Sequence, residues 1–426
     1  MNQLRNHIDV DKINGELIKY DLSKDEKSNA LLKYIVKISV LKLLSCIPIK
    51  AIKDIQITGS IANGEGTVIK SDSQVVTSDV DIVVYLGFPY FIIATVKGIF
   101  KNLSQEVNSF LSSRGLKTHV CFTGTTKITK LFSYFSGSHI YDFEFMKNKS
   151  IYNQGDRYIE KRSYMPTKKD ALQLTFTVIA DYLFLDLLAQ LDIEKVYILA
   201  KRFLTLIHAL LVFEGRPKFS YEERVIFVEM SPKISAFLSE SEKEFLRKFT
   251  RFKLSGELYH IFNAFKSTDI TQIISLQKKL LVNMILKILC YELQELYGSK
   301  LGYEQKVANN PTLLPEERLI ILLDAFFIQN RKPVLNNFVY VFVLAVISIL
   351  TKRFYILREV TPLLTLRLSL INVANCLICL TFVFNMMSKI NKQLLQHVKL
   401  PIKKLTFSLN DIFAIWNQAN QFKYLP

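Results

Sequence analysis

The chain has 426 residues, half of them apolar and 12% aromatic, which is enough for two or three packed domains and excludes a disordered protein. Its 55 Lys and Arg against 38 Asp and Glu leave a formal charge of +17, which favours anionic partners: nucleotides, nucleic acid or anionic lipid. The basic residues are scattered, with no arginine-rich tract and no aromatic-interleaved RNA motif, so a plain basic surface is the competing reading.

The N-terminal stretch MNQLRNHIDVDKINGEL carries charge where a secretory leader would need an apolar core, which predicts a cytoplasmic location. In ALLKYIVKISVLKLL, apolar residues recur every three or four positions. They predict a helix over about Lys27–Ser45 that ends before Pro48 and packs on the sheet that follows. Asp54–Thr58 reads as a strand, followed by Gly59-Ser60 in ITGSIANGEG. A short helix opening at Ser60 would offer its free backbone N–H groups and its positive end to phosphates. GEGTVIKSDSQVVTSD reads as a small hairpin: TVIK and QVVT are β-rich, and SDS, with Asp72, makes the turn.

SDVDIVVYL supplies the next strand, Val80–Leu86, with Asp79 and Asp81 on one face because side chains alternate. Two carboxylates beside Val80, Ile82, Val83 and Val84 make a hard-cation site at the edge of a core. Mg²⁺ prefers oxygen ligands and usually brings substrate phosphates with it. The bland alternative is a surface aspartate pair beside a β-turn. An apolar strand is a costly place for two unpaired carboxylates, and a metal relieves that cost. PYFIIATVKGIFKNLSQEVNSFLSSRG reads as one helix closed by Gly115, and KTHVCFTG as the next strand. In HIYDFEFM, residues 139–146, Asp142 and Glu144 alternate with Tyr141, Phe143 and Phe145, so both can face one way.

From about residue 165 helical periodicity takes over and glycine becomes sparse. TFTVIADYLFLDLLAQL and VYILAKRFLTLIHALLVFEG read as neighbouring helices, the second ended by Gly215-Arg-Pro217. SYEERVIFVEM, SESEKEFLRKFTRFKL and TQIISLQKKLLVNMILKILCYELQELYG continue an all-α region. Residues 333–351 and 368–388 hold no charge, and each is as long as a bilayer-spanning helix requires. They read either as a transmembrane hairpin, holding the protein at the cytoplasmic face, or as two fully buried helices. Basic residues both outside them (Arg331, Lys332, Lys389, Lys392) and between them (Lys352, Arg353, Arg358) leave orientation open. Cys46, Cys121, Cys290, Cys376 and Cys379 show no disulfide framework. The Cys376-Leu-Ile-Cys379 spacing lacks a second pair or a nearby histidine and reads as packing.

Gly59-Ser60, Asp79-x-Asp81 and a third acidic strand, in that order, resemble the signature of the DNA polymerase beta-like nucleotidyltransferase superfamily. The resemblance covers roughly residues 50–150, about a quarter of the chain. Ser60 and Asp79 are nineteen positions apart, against about a dozen in the family; surface loops absorb such extra length cheaply. The resemblance implies an α/β catalytic domain, a small mixed sheet with flanking helices, followed by a large all-α region. It implies two Mg²⁺ (or Mn²⁺) ions held by Asp79, Asp81 and Glu144, with Asp142 as the alternative third ligand. Gly59 and Ser60 would bind an NTP, whose nucleoside monophosphate passes to an acceptor hydroxyl with release of pyrophosphate. The family's helical domain helps form the cleft for base and acceptor. Lys201 or Arg202 would reach the triphosphate from there, unless they simply line a solvated helix face.

The acceptor is not readable: a small molecule, a lipid-linked group, a protein and RNA all remain open. A cyclic-oligonucleotide synthase is one option, because SIANGEGT and SDVDIVVYL resemble the GS…GT…SDxD run of those enzymes. The alternative from another class is a catalytically silent nucleotidyltransferase-like domain that serves in binding or as a membrane scaffold. The expected organisation is an N-terminal helical segment at 1–50, a catalytic domain at 51–160, a helical domain at 161–330 and an apolar helical region at 331–426.

Overall fold

The structure is a computed structural model that describes residues 13–70, 75–126, 149–153, 166–218, 220–298 and 315–330, with residues 375, 378–383, 385, 412, 413 and 416 further on. The chain folds as two compact units: Met1–Met165 with Lys218–Ile273, and Pro166–Pro217 with Ile274–Pro426. A small mixed sheet region with helices and a large helical portion together make up the fold.

In the first unit residues 13–18 are helical, and helix α1, Glu26–Cys46, follows them. Asp25 caps it, accepting from the Ser28 backbone N–H at 2.8 Å and from the Ser28 hydroxyl at 2.7 Å. Its buried stripe, Leu32, Ile35, Val36, Val40 and Leu43, follows the helical repeat. Strand β1, Ile52–Thr58, leads into the single turn α2, Gly59–Ala62. The hairpin β2, Val68–Lys70, and β3, Val75–Thr77, stands where the β-rich stretches predict one. Strand β4, Val80–Leu86, precedes two helices, α3, Phe88–Val96, and α4, Ile99–Ser113. The single helix expected over this stretch is broken at Gly98, whose φ of +63° lies in the left-handed region that a helix cannot continue through. Strands β5, Leu116–Lys117, β6, Val120–Thr125, and β7, Lys149–Asn153, complete the set.

The strands form a mixed four-stranded sheet in the order β6-β4-β1-β7 and a three-stranded one in the order β2-β3-β5. In the larger sheet β1 is antiparallel to β4 and β7, while β6 runs parallel to β4. Ile55, Ile57, Val80, Ile82, Val84, Val120 and Phe122 join the stripe of α1 and Leu103, Val107 and Leu111 of α4 in one core. α4 also satisfies the outer edge of β6: Asn108 Oδ1 accepts from Val120 N–H at 2.7 Å, and Ser104 Oγ from Phe122 N–H at 3.0 Å.

The helical unit begins with α5, Lys168–Leu183, whose Thr167 and Asp170 form a capping box, then the single turn α6, Leu185–Leu188, and α7, Asp192–Phe213. Among the described residues α7 is the one helix long and apolar enough to cross a membrane, and it is mostly buried within the protein. The chain then returns to the first unit with α8, Tyr221–Met230, α9, Pro232–Phe237, α10, Glu240–Ser255, and α11, Tyr259–Phe265. Helices α12, Ile270–Tyr297, and α13, Pro315–Gln329, follow. The expected span 333–351 lies outside the described residues. Within 368–388, Ile378, Cys379, Leu380, Phe382 and Val383 are buried, and Phe382 meets Tyr182 edge-on at 5.7 Å. Asn375 donates to Gln173 of α5 at 2.8 Å.

Candidate functional site

Strand pairing gives the larger sheet two unlike faces. Ile55 and Ile57 lie opposite Val84 and Ile82, and this face carries the core. On the other face Thr58 lies opposite Asp81, Gln56 opposite Val83 and Asp54 opposite Tyr85. β6 adds Cys121, Thr123 and Thr125 beside Asp81, Val83 and Tyr85, and β7 adds Ser150 beside Gln56. This second face is therefore mostly polar in the middle of an apolar domain, which is costly unless every group is partnered.

Asp81 stands at one end of that face. Directly across from it β1 finishes at Thr58, and the chain turns at Gly59 with a φ of +74°. A Cβ on Gly59 would sit 3.5 Å from Asp81 Oδ2, an ordinary contact, so the left-handed turn is what calls for glycine here, and it sets the backbone beside the carboxylate. α2 is only one turn long, so its macrodipole is small and the backbone N–H groups at the turn are what it can offer an anion. Asp79, Val80 and Asp81 form one extended stretch. Val80 is fully buried in the core, and both aspartates are half-buried.

The segment before Asp79 is held tightly. Ser78 N–H donates to Thr67 O at 2.9 Å, Ser78 O accepts from Thr118 Oγ1 at 3.4 Å, and Ser78 Oγ accepts from Thr67 N–H at 2.7 Å. On the far side of Asp79, Val80 N–H donates to His119 O at 2.9 Å. Lys253 of α10, whose side chain is buried, donates from Nζ to Thr67 Oγ1 at 2.7 Å, Ser78 Oγ at 2.8 Å and Glu65 O at 3.5 Å. The Thr67 hydroxyl in turn donates to the Lys253 carbonyl. At the end of α10, Gly256 has a φ of +75° and approaches β2 so closely that a Cβ would meet Val68 O at 2.1 Å.

The loop that follows the Gly-Ser turn is fixed at Glu65 and Gly66. Glu65 N–H donates to Ser60 O at 2.9 Å, and Gly66 N–H donates to Leu22 O at 2.8 Å. The Glu65 carboxylate accepts from Tyr221 N–H at 2.8 Å, where a negative charge suits the start of α8. Burial pushes this carboxyl above its ordinary range, against the pull of that N–H and of the Arg224, Lys253 and Lys24 charges. Asp54 is also buried, and its carboxyl is raised for the same reason, although Ser150 Oγ donates to it at 2.7 Å and Gln56 adds a second bond. Asp54 pairs with Tyr85, four residues from Asp81, or about 13 Å along the strand, so the two do not share a cation.

The structure thus brings Gly59 against Asp81, with Ser60 next in the turn and Asp79 at the mouth of the same strand. Asp142 and Glu144, the candidates for the third acid, lie outside the described residues. Lys201 and Arg202 are on α7 of the helical unit, where Arg202 pairs with Asp181 of α5. Among the described residues no group of three or more His, Cys, Asp or Glu is arranged to hold a metal ion. Asp79 and Asp81 still suit Mg²⁺, which is commonly bound through one or two carboxylates plus substrate phosphates. The reading of motifs passed over Lys253, yet a signal was present. Leu246, Phe249, Thr250 and Lys253 fall on one buried helical stripe, where a lysine is out of place. Comparison of the chain with protein-family models, with curated proteins and with solved structures found no match in any of the three.

Proposed function

We propose that the sheet unit is a metal-dependent nucleotidyltransferase that moves a nucleoside monophosphate from an NTP to an acceptor hydroxyl and releases pyrophosphate. The observation that carries this reading is the pairing of Thr58 with Asp81, which sets the glycine of a Gly-Ser turn against the Asp-x-Asp strand. Gly59 would let the backbone approach the phosphates, and Ser60 would donate to one of them. Asp79 and Asp81 would hold the Mg²⁺ (or Mn²⁺) that accompanies the triphosphate. Such an ion neutralises phosphate charge and, as one of a pair, lowers the pKa of an attacking hydroxyl. Glu144, or Asp142, is proposed to complete a two-ion site.

The acceptor oxygen forms a bond to the α-phosphorus as the bond to the bridging oxygen breaks. Pyrophosphate takes that electron pair, and the hydroxyl proton passes to solvent. The side chains need only position the groups and match their charge, which supplies most of the catalysis in reactions of this type. The acceptor stays a choice among a small molecule, a lipid-linked group, a protein and RNA.

Asp81→Ala tests the reading through two measurements on the full chain: Mn²⁺ binding in the presence of ATP, and pyrophosphate release with Mg²⁺ and each labelled NTP. We expect the variant to melt like the parent, to lose Mn²⁺ affinity and to release pyrophosphate at less than about a hundredth of the parent rate. Full Mn²⁺ affinity in the variant removes the metal assignment. Mn²⁺·ATP binding by the parent without turnover of any NTP turns the reading to a catalytically silent binding domain.

A further inference from the structure

We infer that Lys253 is a positioning residue for the Asp79–Asp81 segment, acting through Ser78 and Thr67; this rests on the nucleotidyltransferase reading above. The ammonium is buried and lies within hydrogen-bond reach of three oxygens: Thr67 Oγ1 at 2.7 Å, Ser78 Oγ at 2.8 Å and Glu65 O at 3.5 Å. A lysine ammonium has three donors, so this set matches its capacity. Two of the acceptors belong to the first and last residues of the excursion between the Gly-Ser loop and the aspartates. Thr67 precedes β2 and Ser78 follows β3, and they also bond each other at 2.7 Å and 2.9 Å. Lys253 thus pins the neck of the hairpin that separates Ser60 from Asp79.

Ser78 is the residue immediately before Asp79, and its polar atoms are all engaged. Without the ammonium, the two hydroxyls lose a charged partner inside a closed site. The strand entry can then shift, and Asp79 moves with it. A buried lysine is an expensive choice for a purely structural tie, since an apolar side chain would fill the same space at no desolvation cost. Its reach to both sides of one neck is what an apolar group cannot supply. Groups hydrogen-bonded directly to the ligands of a metal change its affinity by about tenfold to a hundredfold when removed, and Lys253 stands one residue further back, on the backbone that carries Asp79.

The test uses the full chain and the parent, Lys253→Met, Ser78→Ala and Asp81→Ala forms. Mn²⁺ affinity is read at saturating ATP by electron paramagnetic resonance, alongside thermal melts. We expect Lys253→Met to melt cooperatively and to bind Mn²⁺ about tenfold more weakly. A structural role alone would lower the melting temperature and leave the Mn²⁺ affinity of the folded molecules unchanged, which overturns the inference. Should Lys253→Met fail to fold, Ser78→Ala decides, because it removes a single oxygen from the neck. Weaker Mn²⁺ binding in that variant supports the inference, and parent-like binding overturns it. Asp81→Ala separates the two readings. If it binds Mn²⁺ like the parent, the metal site itself falls and the role of Lys253 falls with it. If it loses binding while Lys253→Met does not, only the positioning role is rejected.

Discussion

Glu292 lies wholly buried within α12, beside the buried hydroxyl of Thr175 of α5. Burial pushes its carboxyl from the ordinary 4.5 up to about 8, so the group is neutral at pH 7 in the folded chain. The unfolded chain loses that proton near pH 4.5 and the folded chain near pH 8. Between those values the folded state holds the extra proton, so stability falls as pH rises through the window and levels off above it. Glu292→Gln removes the titration. Unfolding by urea should then show the parent losing stability relative to the variant by at most about 1.4 kcal/mol per pH unit between pH 5 and 8. A difference that stays flat across that range would show the carboxyl to be ionised in the fold. Residue type foretold little here: ELQEL reads as an ordinary polar helix segment, and only packing makes one of its glutamates a buried acid. The placement of Gly59 in a turn and of Asp81 on a strand was legible because both depend on short stretches of sequence.

Elements end where the backbone is forced to, and two glycines at helix ends separate strain from contact. Gly215 has a φ of +68° with nothing within 4 Å of an added Cβ, whereas Gly256, at +75°, would meet the Val68 carbonyl at 2.1 Å. Gly215→Ala should cost about 1 kcal/mol, the left-handed penalty alone. Gly256→Ala adds an overlap with backbone that cannot rotate away and should cost about 2 kcal/mol or more, while loosening the hairpin. Denaturant unfolding of the two variants gives the comparison, and equal losses would mean that α10 shifts off β2 freely. The helix closures at Gly115 and Gly215 and the β2–β3 hairpin were readable because turn chemistry is short-range. The break at Gly98 was not, since a lone glycine within an apolar periodic run is often tolerated. The short helices α9 and α11 also escaped the periodicity, as six or seven residues span too few turns to show a repeat.

At the scale of the whole molecule, the sheet unit is discontinuous: the chain leaves it after residue 165 and returns at residue 218. Helical periodicity runs on across the return, and although α10 is far more charged than α7, neither feature says which unit a helix joins. Long-range polar contacts tie these helices to the strands and loops of the sheet unit, from Tyr221 to Glu65 and from Lys253 to Thr67 and Ser78, and sequence periodicity is blind to them. The formal charge of +17 also acts at this scale. If it draws the proposed triphosphate substrate, raising NaCl from about 50 to 300 mM should weaken Mn²⁺·ATP binding several-fold as the Debye length shrinks. An affinity indifferent to salt would confine the attraction to the immediate site. The tie between Ser78 and Lys253 spans 175 positions of sequence. A ribosome adding about 5–20 residues per second releases the two ends roughly 9 to 35 s apart. A nascent chain therefore carries the β2–β3 hairpin for many seconds before the lysine that ties its neck has been made, and any translation product ending short of α10 would lack that tie.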